Sequence, residues 1–342
     1  MLRRVLSNYE RNLIFLRFLY LLKRQNLFEQ LYLLGSVQNV LNRTQPTLPH
    51  SIGSSEEFML VIVGYLIIIA AIMGGFIGGG GHPAVMFQPF EFVIIIGSAL
   101  GAFICGNSFS VIKASLAQAT GTLKASKCDK AYYLELLLSF YTLAIKIRKE
   151  GLLSLEDIID GPQIDTIFTP KIINDHHLLE FIRDNLRLML TGVDVGPLEE
   201  LMDQTLDTHH EDGYAPIKAV KGIADGMPAF GIVAAVLGVV HTMESVSLPP
   251  AELGKLIAAA LVGTFLGVLL AYGFVAPIAN LMEERLEASG NAFKCAQKGL
   301  LCCAKSVSPT MTAEYMRAMI PFNMRPSFSE LDEQLKASKG KL

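Results

Sequence analysis

Residues 256–282 read LIAAALVGTFLGVLLAYGFVAPIANLM, a run without one charged side chain. About 20 apolar residues in a helix cross the roughly 30 Å hydrocarbon core of a bilayer, so this run is long enough to span. Three further stretches repeat the pattern. Phe58 to Gly81 (FMLVIVGYLIIIAAIMGGFIGGGG) and Phe92 to Ser108 (FVIIIGSALGAFICGNS) are uncharged, and Gly226 to Met243 holds His241 as its one titratable group. The stretches at 92–108 and 226–243 are short and reach spanning length with their flanking residues. The sequence therefore predicts an all-α membrane protein with four transmembrane helices in two hairpins, at 58–81, 91–108, 225–243 and 255–282. The uncharged run Leu136 to Ile145 is bounded by Glu135 and Lys146, and is short enough to fit a buried soluble helix instead.

Composition agrees. Over 342 residues, 51% are hydrophobic, 18% are charged and the mean hydropathy is +0.41. Soluble domains carry about 25% charge, and disorder needs the opposite balance. A net charge of −3 gives no basic footprint for nucleic acid. The five cysteines form no C-x-x-C and no metal spacing, which reads as reduced thiols rather than a disulfide framework. Gly78 to Gly81 lacks the Lys-Ser/Thr of a phosphate loop, the pairs His176-His177 and His209-His210 lack a metalloenzyme spacing, and no nucleophile motif occurs. No enzyme activity, metal or cofactor is expected.

Loop charge sets the orientation. The loop at 79–91 has no Lys or Arg, and the loop at 242–255 has Lys255 alone. The insert 109–224 holds 12 basic residues and the tail 283–342 nine. Both charged regions are placed in the cytoplasm, with the N- and C-termini, leaving two short loops outside. The insert reads as helical: Leu178, Leu179, Phe181, Ile182, Leu186 and Met189 recur near helical spacing, opposite Glu180, Arg183, Asp184 and Arg187. Residues 1–57 differ. Arg3, Arg4, Arg11, Arg17, Lys23 and Arg24 surround a run too short to span. This extension is either a basic amphipathic surface helix with a linker, or not native, with Met59 as the true start.

Small residues recur at packing spacing in the spans: Gly74/Gly78, Gly75/Gly79, Gly97/Gly101, Gly231/Ala235 and Gly263/Gly267. Such spacing lets backbones approach closely in lipid, and tight packing is expected on every helix. No Asp, Glu, Lys or Arg lies inside the apolar runs 58–81, 92–108, 226–243 and 256–282; Glu91, Asp225 and Lys255 stand at the edges of their spans. Ion-coupled membrane proteins usually place an ionisable group at membrane depth. The chain is therefore either a passive scaffold or one wall of a pathway whose carboxylate belongs to another chain. Thr264 and Tyr272 lie about two turns apart and could share a stripe, although a lone Thr commonly bonds its own i−4 carbonyl. Pro228 and Pro277 remove backbone donors and predict kinks. Arg148 and Glu156, in IRKEGLLSLED, read by themselves as charges on a solvated helix end.

Longer motifs add to this. MPAFGIVAAVLGVVHTMES (227–245), PPAELGKLIAAALVGTFLGVLLAYGFVAPIA (249–279), QPFEFVIIIGSALGAFICGN (88–107), KAYYLELLLSFYTLAIKIRKEGLLSLE (130–156) and RPSFSELDEQL (325–335) occur in this order. Together they resemble the A subunit of the bacterial flagellar motor stator, the MotA family, over Met59 to Leu335. The resemblance implies a homo-oligomeric ring of five A subunits around two B subunits in the inner membrane. Each B subunit brings one transmembrane helix with an essential Asp, and a peptidoglycan-binding domain. Proton flow past that Asp would turn the ring against the rotor's switch protein. Pro228 and Pro277 match the family's functional prolines, Arg148 and Glu156 its rotor-contacting charges, and Thr264 its pathway Thr. Ala235 stands where sodium-driven relatives carry Thr, so protons are the expected coupling ion. The alternatives are a TolQ/ExbB-type channel subunit energising envelope processes, which typically has three spans, and a non-conducting scaffold.

The extension is expected to be dispensable: a chain beginning at Met59 should restore swimming to cells lacking their own A subunit. Assembly by the full-length chain alone would make residues 1–57 a working segment.

Overall fold

The computed structural model describes residues 54–339 apart from 123, 125–126, 160–163, 245–246 and 248. The extension at 1–57 lies outside the described residues, save for the first helical turn from Ser54. All regular structure among the described residues is helical. In order these are α1 (Ser54–Gly78), a 3-10 turn (Pro83–Met86), α2 (Pro89–Gly106), α3 (Phe109–Gly121) and α4 (Lys130–Glu150). A second 3-10 turn (Leu152–Leu155) leads through three single-turn helices, α5 (Glu156–Ile159), α6 (Ile164–Ile167) and α7 (Pro170–Ile173), to α8 (His176–Leu190). Then come α9 (Val195–Glu244), α10 (Pro250–Val268), a π-helical segment (Leu269–Val275), α11 (Ala276–Ala304), α12 (Pro309–Met319) and α13 (Phe328–Lys339).

Four helical stretches are long and apolar enough to cross a membrane: Met59–Gly78, Pro83–Gly106, and parts of Val195–Glu244 and Pro250–Ala304. The last two continue far past their apolar runs. α9 is a single helix of 50 residues, about 75 Å at 1.5 Å per residue, with Pro216 and Pro228 inside it. Helix therefore runs unbroken through positions 224–225 and 282–283, where composition changes from charged to apolar.

The spanning and charged regions hold together by different means. Away from the membrane runs, one core joins α4, α8, the start of α9, the end of α11, α12 and α13. Its largest fully buried side chains include Tyr132, Tyr133, Phe140, Tyr141 and Phe168. The run Leu136–Ile145 lies in α4 within this core, and Leu178, Leu179, Phe181, Ile182, Leu186 and Met189 of α8 are all buried there, as their spacing predicts. Burial from water drives this packing. Asp129 caps α4 by accepting from the Tyr132 N–H at 2.6 Å. Ser327 and Glu330 form a reciprocal capping box at α13, and Lys130 reaches Glu330 at 2.8 Å. The Lys130 ammonium and the Ser327 N–H hold the Glu330 carboxyl below its ordinary value. The cysteines are free, and burial pushes the Cys128 thiol up to about 12, which keeps it protonated.

The spans pack through small residues instead. α9 and α10 run antiparallel in near backbone contact. A Cβ on Gly231 would lie 2.9 Å from the Gly263 oxygen and 2.9 Å from the Gly267 Cα. A Cβ on Gly267 would lie 2.8 Å from the Met227 oxygen. α2 lays Ile95 and Ala99 against Met227 and Ala234 of α9 and Leu266 of α10. Within the single chain, among the described residues, the close packing is confined to this pair. Beside Gly74, Gly75, Gly78, Gly97 and Gly101 there is open space within 4 Å. The spacing of small residues marks where a backbone can approach, and among the described residues the α9–α10 pair uses it.

Gly267→Leu should separate α9 from α10, because the obstructing atoms are backbone and cannot rotate away. Overpacking of this kind costs about 1–3 kcal/mol. A lower thermal unfolding midpoint in detergent would register it, and an unchanged midpoint would show that the helices can part freely.

Candidate functional site

The α9–α10 contact places two of the singled-out residues together. Ala235 is buried in α9, and its backbone nitrogen lies 3.1 Å from where a Gly263 Cβ would stand. Thr264 is the next residue of α10 and is half-buried. Its hydroxyl has no hydrogen-bond partner among the described residues. Other helical threonines behave differently: Thr242 donates to the Gly238 carbonyl at 2.8 Å and Thr205 to the Leu201 carbonyl at 2.8 Å. The local i−4 bond open to Thr264 is thus not made, and its hydroxyl is left available.

Tyr272 lies eight residues beyond Thr264 and is more open than it. It sits in the π segment and is 60% exposed. The two prolines lie at different levels. Pro228 follows Met227, whose carbonyl faces Gly267, and α9 stays helical through it. Pro277 stands at the first turn of α11, at the end of the π segment. Just beyond it, Ala279 and Met282 pack on Ile217 and Val220 of α9, and Lys221 pairs with Glu283 at 2.8 Å. A local π adjustment is one way a membrane helix accommodates the N–H that a proline lacks. Pro277 also lines a cleft of about 720 Å³ between α1 and α11, together with Tyr65, Leu281, Glu284, Arg285 and Asn291.

Arg148 and Glu156 are brought to one exposed end of the water-facing core. Arg148 lies in the last turn of α4, which stops at Gly151, where φ is +82°, a conformation that glycine adopts without steric cost. The chain then makes the 3-10 turn, anchored by buried Leu155, and Glu156 opens α5. Both side chains are exposed and have no ion-pair partner among the described residues. Leu152 and Leu153 between them are exposed as well. Arg148 lines a groove of about 580 Å³ with Tyr141, Ile145, Lys149, Ser308, Pro309 and Thr310.

Sequence reasoning missed this groove, because its far wall comes from the start of α12, some 160 residues away in the chain. It also passed over Tyr65, although a single hydroxyl in the apolar run of α1 was a visible signal.

Known proteins bear on this arrangement. Residues 62–151 match the motility protein A N-terminal family and residues 174–294 the MotA/TolQ/ExbB proton channel family. Motility protein A of Salmonella typhimurium is 40% identical, over 82% of this chain and 96% of the relative. The chain belongs to the motility protein A family. Motility protein A of Escherichia coli is likewise 40% identical over the same shares, and the chemotaxis protein LafT of Vibrio parahaemolyticus is 33% identical over 82% of this chain and all of LafT. Two solved structures share the fold. The Campylobacter jejuni MotAB structure superposes with a TM-score of 0.66 at 18% identity, over 79% of this chain and 99% of that one. The flagellar MotAB stator complex from Bacillus subtilis gives 0.64 at 20% identity, over 81% and 98%. As a motility protein A family member, this chain is an inner-membrane stator subunit of the proton-channel class. The channel-family match alone would admit a TolQ/ExbB-type subunit. The N-terminal match over 62–151 and the overall identity decide for the motility branch.

Proposed function

We propose that this chain is the A subunit of a proton-driven stator, forming a ring of five around two one-span B subunits, with its termini in the cytoplasm. The observation that carries the reading is a mismatch. The chain belongs to a channel family, yet no Asp, Glu, Lys or Arg stands in its apolar runs, while the Thr264 hydroxyl is left without a partner beside the α9–α10 contact. The carboxylate of the pathway then comes from the B subunit, and Thr264 holds a water or that carboxyl in place. Ala235 offers no oxygen. A sodium ion shedding its water needs several oxygen ligands, whereas a proton needs one hydrogen-bonded water and an acceptor. Pro228 and Pro277 are the points at which α9 and the α10–α11 helix flex as the carboxylate changes charge, and Tyr272 lies on the flexing segment. No cofactor takes part. Arg148 and Glu156 meet opposite charges on the rotor's switch protein and keep the two in register.

Thr264→Val is nearly isosteric and should assemble normally. Proton flux and torque should fall by about tenfold or more, the worth of one hydrogen bond to a charged group. Swimming should follow the proton gradient and persist without external sodium. Normal torque in Thr264→Val would remove the hydroxyl from the pathway, and arrest on sodium withdrawal would remove Ala235 as a marker of proton use.

Exposed ion pairs contribute only about 0–1 kcal/mol, so Arg148→Ala should slow swimming little. Arg148→Glu places like charges together and should slow it severely at unchanged membrane abundance. A compensating reversal on the switch protein should restore part of the speed. Loss of the protein from the membrane would instead make Arg148 a folding residue.

A further inference from the structure

Tyr65 is the one polar side chain in the apolar run of α1. Its hydroxyl donates to the Phe274 carbonyl at 3.0 Å. Its ring stacks on the Phe274 ring, with centroids 5.1 Å apart and planes 21° apart. Phe274 belongs to the π segment, just ahead of Pro277. At the end of that segment the Ala276 N–H still donates five residues back, to the Ala271 carbonyl.

This stretch has an excess of acceptors. A return from π to α geometry passes over one carbonyl, and Pro277 removes one N–H. At membrane depth such acceptors are met by groups on neighbouring helices or by ordered water. The Tyr65 hydroxyl brings a donor from another helix to the Phe274 carbonyl, next to the carbonyls at 272–273 that Pro277 leaves without an N–H. The approach is close: a Cβ on Gly273 would meet Leu269 Cδ1 at 3.0 Å and Ile68 Cγ2 at 3.6 Å. Ile68 lies one turn from Tyr65, so a single face of α1 bears on the π segment. Apart from this contact, the main packing partner of α1 within the chain is the Pro83–Met86 turn that follows it.

We propose that Tyr65 is a positioning residue for the Pro277 hinge: its hydroxyl and ring tie α1 to the π segment and set how far that turn opens. The tie is of a size that can be made and broken during a cycle, since one such hydrogen bond shifts a two-state equilibrium by about two- to tenfold. Movement of α1 and opening of the hinge are thereby linked. The motility consequence rests on the reading of Pro277 as a coupling hinge; the structural consequence does not.

The test uses the full chain assembled with its one-span partner in lipid nanodiscs. Tyr65→Phe removes the hydroxyl and keeps the ring. Hydrogen–deuterium exchange of the amides at 278–282 should accelerate by about two- to tenfold at unchanged abundance. Combined with Pro277→Ala, which restores the missing N–H, the same substitution should accelerate exchange by less than about twofold. In cells, Tyr65→Phe should lower swimming speed. Exchange unchanged by Tyr65→Phe overturns the proposal. So does equal acceleration with and without Pro277→Ala, which would reduce Tyr65 to packing, and so does loss of membrane insertion. Accelerated, Pro277-dependent exchange with unchanged swimming upholds the positioning role and removes instead the reading of Pro277 as a coupling hinge.

Discussion

Backbone meets backbone where Gly231 of α9 faces Gly263 and Gly267 of α10, and the other membrane contacts are arranged around that meeting. In lipid there is little hydrophobic gain in pressing one apolar helix on another, so association depends on close van der Waals approach. Glycine makes this possible by leaving no side chain between the helices. α2 then fills the groove along the pair with Ile95 and Ala99. Because α9 and the α10–α11 helix both continue out of the apolar region without a break, the geometry set at the glycines is carried directly into the water-facing core.

That core is built on the opposite principle. Tyr132, Tyr133, Phe140, Tyr141 and Phe168 are large, fully buried and surrounded by Leu and Ile. Interiors packed this way are stiff and transmit strain. The π segment and Pro277 lie along the helix that leads from the small-residue membrane part into this core. Among the described residues the π segment is the one place along the α10–α11 helix where the ladder departs from α geometry.

Groups without partners share a second logic. Thr264 has a hydroxyl with no acceptor among the described residues, and Arg148 and Glu156 have no counter-charge among them. The glycines of α1 and α2 face open space. The exposed charges are open to water, and the half-buried Thr264 hydroxyl is open to a water or a neighbouring group.

Much of this was legible in the sequence. The four uncharged runs, the buried α4 stretch and the apolar face of α8 follow from length and period alone, because bilayer thickness and helical pitch are fixed quantities. The residues of the site were legible one at a time: Thr264 and Ala235 as marked positions, Arg148 and Glu156 as charges, Pro228 and Pro277 as breaks. Their arrangement was not. Glycine spacing is the same in α2 as in α10, yet among the described residues it is the α9–α10 pair that packs on it, since a one-dimensional pattern does not state which face meets which. A threonine's hydroxyl is equally ready to bond its own helix or a visitor, and only the observed geometry shows Thr264 uncommitted. The π turn ahead of Pro277, the separate levels of the two prolines, the groove between Arg148 and Thr310, and the reach of Tyr65 to Phe274 all join residues distant in the chain. Sequence determined the elements and their chemistry. Tertiary packing decided which of them touch, because contact depends on the relative rotation and height of helices that no local rule fixes.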